Sequence, residues 1–199
     1  MTNTATGMGM GMGKKVWRAY LAGPEVFLPD PTAAAETLRA LCAEHGIVGV
    51  FPLDGAVKPV AGEAPAAHAA RIRAANLDLI RGVDLVLANA SPFRGPSVDD
   101  GTAYEMGFAT ALGRPVFAYT ETPASLLDRT RAHFPLRRDD DGDWRDPEDR
   151  MVEDFGLGAN LMLVDPALAR WGDPGTTGLY QSVRLALAAA AHWIQSQER

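Results

Sequence analysis

Short apolar runs alternate along the chain with longer stretches whose apolar positions recur at helical spacing. Residues 16–22 form the first run, closed by Gly23 and Pro24. From residue 32 to 45 the period is helical, with Thr32 as an N-cap candidate and Gly46 as a C′ stop. Residues 47–51, rich in β-branched side chains, predict a second strand, and residues 54–66, rich in Ala, Gly and Pro, predict a loop. Residues 67–81 predict a helix ending at Gly82, and residues 83–88 a third strand. Residues 99–112 turn from loop into helix and stop at Gly113; residues 115–119 predict a fourth strand. Residues 123–133 read as a helix, 135–149 as a solvated loop dense in Asp and Arg, 161–164 as a fifth strand, and 177–195 as a long helix.

Strands alternating with helices predict an α/β fold, a Rossmann-like or flavodoxin-like three-layer sandwich around a five-stranded parallel sheet. Residues 16–199 form a single domain on this reading, preceded by a disordered Met/Gly-rich tail over residues 1–15 that cannot bury a face. In such sheets ligands bind outside the carboxyl ends of the strands. The residues that follow the strands are therefore the ones to search: Gly23 and Pro24, then Asp54, then the stretch from Ser91 to Glu105.

Composition narrows the function. The chain has 199 residues, a net charge of −6 and a single cysteine. An acidic chain without a basic patch does not fit binding to a nucleic-acid backbone. One cysteine, Cys42, allows no intrachain disulfide, which agrees with a reducing, cytoplasmic setting. No apolar run approaches the roughly 20 residues that span a bilayer, so no membrane partner is expected. The four histidines lack metal-ligand spacing, and neither a G-x-G-x-x-G nor a P-loop pattern is present. No metal or cofactor is implied.

Residues 91–107 read SPFRGPSVDDGTAYEMG and concentrate three acids, an arginine and three glycines between a buried strand and a helix. Glu105 falls in the first turns of that helix, where the dipole favours an ionised carboxylate, the form a nucleophile requires. Two capping-box patterns, beginning at Ser97 and at Thr102, offer a purely structural account of the same acids. Asp78 reads from spacing alone as a solvated helix acid paired with Arg81. Arg94 suits either a phosphate or a pairing with Asp99 or Asp100.

Several segments in consistent order resemble the nucleoside 2-deoxyribosyltransferase family, particularly its trypanosomatid-like branch. They are YLAGP at 20–24 with Phe27 following, NLDLI at 76–80 with VDLV at 83–86, SPFRG at 91–95, DDGTAYEMG at 99–107, and FGL at 155–157 followed by NLML at 160–163. The resemblance implies exchange of the nucleobase of 2′-deoxyribonucleosides by double displacement. Glu105 would be the nucleophile at C1′, Asp78 the acid that protonates the leaving base, and Tyr20 the group that orients Glu105. Asp99 would bind the deoxyribose hydroxyl and Asn160 the sugar, in its own or a neighbouring subunit's site. Gly23, Phe27 and Asp54 resemble substrate-pocket positions. The implied partners are deoxynucleosides and free nucleobases, in a homo-oligomer. Two other readings stay open: an N-glycosidase acting on 5′-monophosphates, for which Arg94 and Ser97 would hold the phosphate, and a non-catalytic nucleotide sensor. The polar stretch 134–152 lies outside the resemblance, and the preferred base is not fixed by it.

Overall fold

The computed structural model describes residues 15–55 and 57–199. Four parallel strands, β1 (Trp17–Ala22), β2 (Ile47–Val50), β3 (Leu85–Asn89) and β4 (Val116–Tyr119), form one sheet in the order β2-β1-β3-β4. Successive side chains of a strand point to opposite faces, and the core divides accordingly. Trp17, Ala19, Leu21, Leu85, Leu87 and Phe117 pack on one face with helices α1 (Pro31–Glu44) and α5 (Val183–Gln197). Tyr20, Ala22, Val86, Ala88, Val116 and Ala118 pack on the other with α2 (Pro65–Arg81) and α3 (Asp100–Ala111). Burial on both faces explains why the strands read as continuous apolar runs. Helix α4 (Leu126–His133) follows β4.

The expected three layers are found, with a four-stranded sheet instead of five. Residues 161–163 form a 3-10 turn, because the Asn160 side chain caps it by accepting from Met162 N at 3.1 Å. The fifth lane holds one residue: Tyr180 N donates to Ala118 O at 3.0 Å and Thr120 N to Tyr180 O at 2.8 Å. Residues 135–149 are not a plain loop either. Together with the residues that follow, they carry a small antiparallel sheet of β5 (Arg137–Arg138), β6 (Trp144–Arg145) and β7 (Met151–Val152). The Arg131 and Arg138 guanidinium groups lie over the Trp144 ring, 4.7 and 4.5 Å from its centre, which gives this small sheet an anchor. Helix α1 begins earlier than Thr32, since Asp30 caps it through Ala33 N, with Pro31 at its first position. Gly46, at φ +69°, supplies the left-handed stop expected there. The tail expected over residues 1–15 lies outside the described residues except for Lys15, which pairs with Asp84 at 2.8 Å.

The strand order reverses at β1, whose neighbours β2 and β3 lie on opposite sides, so the crevice between the ends of β1 and β3 is the switch point. Gly23 follows one strand there, and Ser91 and the loop to α3 follow the other.

Candidate active site

Tyr20 and Glu105 meet beneath this crevice. Tyr20 is fully buried on the α2/α3 face of β1, and its hydroxyl donates to Glu105 Oε1 at 2.6 Å. Glu105 lies in the middle of α3, past the first turn, and is half-buried. Burial is the largest influence on its carboxyl, with the Asp99 charge acting in the same direction and the Tyr20 hydrogen bond opposing both; the net effect pushes it up to about 7. Desolvation thus opposes the influence of the helix N-terminus, from which the sequence led us to expect an ionised carboxylate. Burial and the adjoining carboxylate also push the Tyr20 phenol far above its ordinary range. Tyr20 is therefore a fixed donor and not a base.

Asp99 is the N-cap of α3. Its Oδ2 accepts from Thr102 N at 2.8 Å and from Thr102 Oγ1 at 3.0 Å. Oδ1 takes no hydrogen bond among the described residues. The capping role and a ligand role are therefore compatible, one oxygen each.

The mouth is built by the loops after β1 and β3. The Glu25 carboxylate lies across Gly23 and accepts from Asn89 Nδ2 at 2.7 Å, with the Tyr119 hydroxyl at 3.4 Å. Asn89 Oδ1 accepts from Ser91 N at 3.0 Å. This network fixes the short turn Pro24–Phe27, at whose end Phe27 stacks on Phe93 with ring centres 5.3 Å apart. Arg94, held at φ +52°, spreads its guanidinium over both rings at 5.2 and 4.6 Å. It makes neither of the pairings with Asp99 or Asp100 that spacing allowed; no salt bridge to it is present among the described residues.

Next to Phe27 lies a cavity of about 370 Å³, lined by Val26, Phe27, Leu53, Val57, Ile72 and Asn76. Phe27 ties it to Phe93 in the loop that precedes α3. Asp54 does not reach it: one oxygen accepts from Phe51 N at 2.8 Å and the other binds Arg39. Asp54 closes the turn after β2 and attaches it to α1. Asp78 is exposed and paired with Arg81 at 2.6 Å, its side chain 75% accessible. It faces solvent near the end of α2, where the chain enters β3, opposite the crevice, so the burial expected of an acid kept protonated is absent. Asn76, two residues earlier and one turn after Ile72, lines the cavity instead. Sequence reading passed over it. The available signal was an amide in a helix interior, a position it disfavours, sharing the i, i+4 face with Ile72.

Asn160 caps its turn and donates to Glu153, just after β7, so the polar hairpin and the late segment are joined. Phe155, Leu161 and Met162 around it are 61%, 45% and 81% exposed. Behind it, the buried Arg129 binds the Gly158 carbonyl. Within one chain Asn160 is thus part of a surface patch. Among the described residues no group of three or more His, Cys, Asp or Glu is placed to hold a metal. No helix there is long and apolar enough to cross a membrane.

A family model described as Nucleoside 2-deoxyribosyltransferase matches residues 19–162. The 2-desoxiribosyltransferase from Leishmania mexicana is similar in structure, with a TM-score of 0.65 at 30% identity, over 88% of this chain and 97% of that one. An uncharacterized protein of Schizosaccharomyces pombe, C191.05c, is 34% identical over 122 residues, 60% of this chain. The chain spans 57% of the length of that yeast relative.

Proposed function

The chain belongs to the nucleoside 2-deoxyribosyltransferase family, and on that premise we propose that it exchanges the base of 2′-deoxyribonucleosides through a covalent ester on Glu105. The observation that carries this reading is the Tyr20–Glu105 hydrogen bond at the switch-point crevice. A half-buried carboxylate there, aligned by a fixed donor, has the position and basicity of a nucleophile.

In the first step a Glu105 oxygen bonds to C1′ while the bond from C1′ to the base nitrogen breaks. The base leaves with the bonding pair and gains its proton from solvent. In the second step a nitrogen of the incoming base attacks C1′ from the face the first base left and gives its proton to solvent, while the ester bond breaks and the pair returns to Glu105. Two inversions give net retention, as in retaining glycosidases. Asp99 Oδ1 holds a deoxyribose hydroxyl. The exposed side chains around Asn160 support self-association, by which Asn160 completes a neighbour's site. Light scattering checks this: a protein that is monomeric while fully active would refute the shared site.

The test of the reaction is chromatography after incubating the protein with deoxyinosine and free adenine, beside Glu105→Ala. New deoxyadenosine from the unaltered chain alone is expected. Hypoxanthine released without exchange would make the chain a hydrolase instead.

A further inference from the structure

We infer that Glu153 is a positioning residue for the reaction: its carboxylate fixes the Asn160 carboxamide in the orientation that meets the sugar, and the polar stretch ending in β7 serves to deliver it. The inference rests on the reading above, in that it takes Asn160 to hold the deoxyribose.

Asn160 is exposed and heads a short turn, where a side chain ordinarily samples several rotamers. Hydrogen bonds remove that freedom here. Its Oδ1 accepts from Met162 N at 3.1 Å, and its Nδ2 donates to Glu153 Oε1. The second Glu153 oxygen accepts from Leu161 N at 3.2 Å. One carboxylate thus grips the side chain of Asn160 and the backbone of the next residue. Both partners are donors, so both oxygens must be acceptors, which an ionised carboxylate provides and an amide does not. The grip occupies one N–H and one carbonyl lone pair of Asn160. One of each stays open to a ligand.

The backbone beneath Asn160 is held just as firmly. Leu126 N donates to Leu157 O at 2.7 Å, Gly158 N donates to Thr177 O at 2.8 Å, and Arg129 binds the Gly158 carbonyl. A β-carbon at Gly158 would stand 2.9 Å from Leu179 Cδ1 and 3.1 Å from Thr177 Cβ, so the segment lies close against its support. Glu153 is half-buried and follows β7, whose Val152 pairs with Trp144. The Trp144 ring in turn meets Arg131 of α4. Helix α4 therefore carries both supports, Leu126 and Arg129 for the Asn160 backbone and Arg131 for the strands that present Glu153. The Asp and Arg density of the stretch has its account in the same sheet, where Arg145 pairs with Asp139 at 2.7 Å and Arg150 with Asp146 at 2.9 Å.

The experiment is a double-mutant cycle on binding, free of turnover. Deoxyinosine is titrated calorimetrically into Glu105→Ala alone and with Glu153→Gln, Asn160→Ala or both added. Glu153→Gln keeps the size of the side chain and sets an amine against a donor. It is expected to weaken binding about fivefold, the cost of immobilising one freed side chain. Glu153→Ala should do the same, which separates loss of the grip from any clash. In the Asn160→Ala background Glu153→Gln should change nothing further, since it acts through Asn160. Circular dichroism and light scattering check that fold and association are kept. The Asn160 side-chain amide resonances, identified by their loss in Asn160→Ala, should move to free-amide positions in Glu153→Gln. A fivefold loss that persists without Asn160, unchanged binding in Glu153→Gln, free-amide resonances in the unaltered chain, or no binding of deoxyinosine would each overturn the inference. Should the cycle hold while no base exchange occurs, the reaction assigned above fails and the role of Glu153 stands.

Discussion

The Tyr20 hydroxyl reaches Glu105 Oε1 at 2.6 Å across a sequence separation of 85 residues, joining the first strand to the third major helix. That bond favours the ionised carboxylate against the burial that opposes it. In Tyr20→Phe the opposing influence is gone, so the Glu105 pKa moves above its value of about 7. The rising limb of kcat/KM against pH should then shift upward by roughly one unit, with about fivefold less activity at pH 7 and near-complete recovery at pH 9. An unmoved limb would mean that Tyr20 does not govern the carboxylate.

Asp99 acts on Glu105 with the opposite sign. Its charge raises the Glu105 pKa, so removing it should shift the same limb downward. Asp99→Ser keeps an oxygen that can accept from Thr102 N and preserves the cap. Asp99→Ala loses the cap as well, at about 1 kcal/mol of stability. Both variants should raise KM for deoxynucleosides alike, while thermal melts separate them. Equal melting temperatures would contradict the capping role.

A carboxyl whose folded pKa lies above its unfolded value makes the folded state less stable as pH rises. The contribution is intact below the unfolded value near 4.5 and is lost on passing through about 7. Glu105→Gln removes that dependence. It should be more stable than the unaltered chain at pH 8, by up to about 3 kcal/mol, with the difference shrinking toward pH 5. Urea unfolding at the two pH values measures this, and an equal difference at both would count against a buried, uphill carboxylate.

The exposed Asp78–Arg81 pair should matter little. Asp78→Ala is expected to leave kcat within about twofold and to change stability by a few tenths of a kcal/mol. A hundredfold fall in kcat would restore Asp78 as an acid in the reaction and require α2 to move.

Much of this was legible in the chain itself, and the boundary of legibility is physical. Both faces of the sheet are buried, so β1 to β4 read as apolar runs, and the positions after them identified the crevice. Glu105 emerged because its segment sits at a strand-to-helix junction, whereas Tyr20 and Asp99 were legible only through the family resemblance of YLAGP and DDGTAYEMG. The Leu161–Leu163 segment is equally apolar, and only the Asn160 cap makes it a turn. The fifth lane goes to Tyr180, within a stretch whose residues gave a helical pattern. Asp78 and Asn76 differ by two positions on one helix, hence by about 200° of azimuth. A motif match that tolerates such a slip exchanges the cavity face for the solvent face. The hairpin of β5 to β7 was hidden because it is held by arginines stacked on Trp144 rather than by an alternating apolar face.

At Gly23 a β-carbon would stand 2.0 Å from a Glu25 oxygen and 3.0 Å from Asn89 Cβ. Any side chain there must first displace the carboxylate that Asn89 and Tyr119 hold in place. Positions 23, 25 and 89 thus form one unit of inheritance. Variation at Gly23 therefore costs as much as it costs Glu25 to give up Asn89 and Tyr119, and a shorter side chain at position 25 lowers that cost.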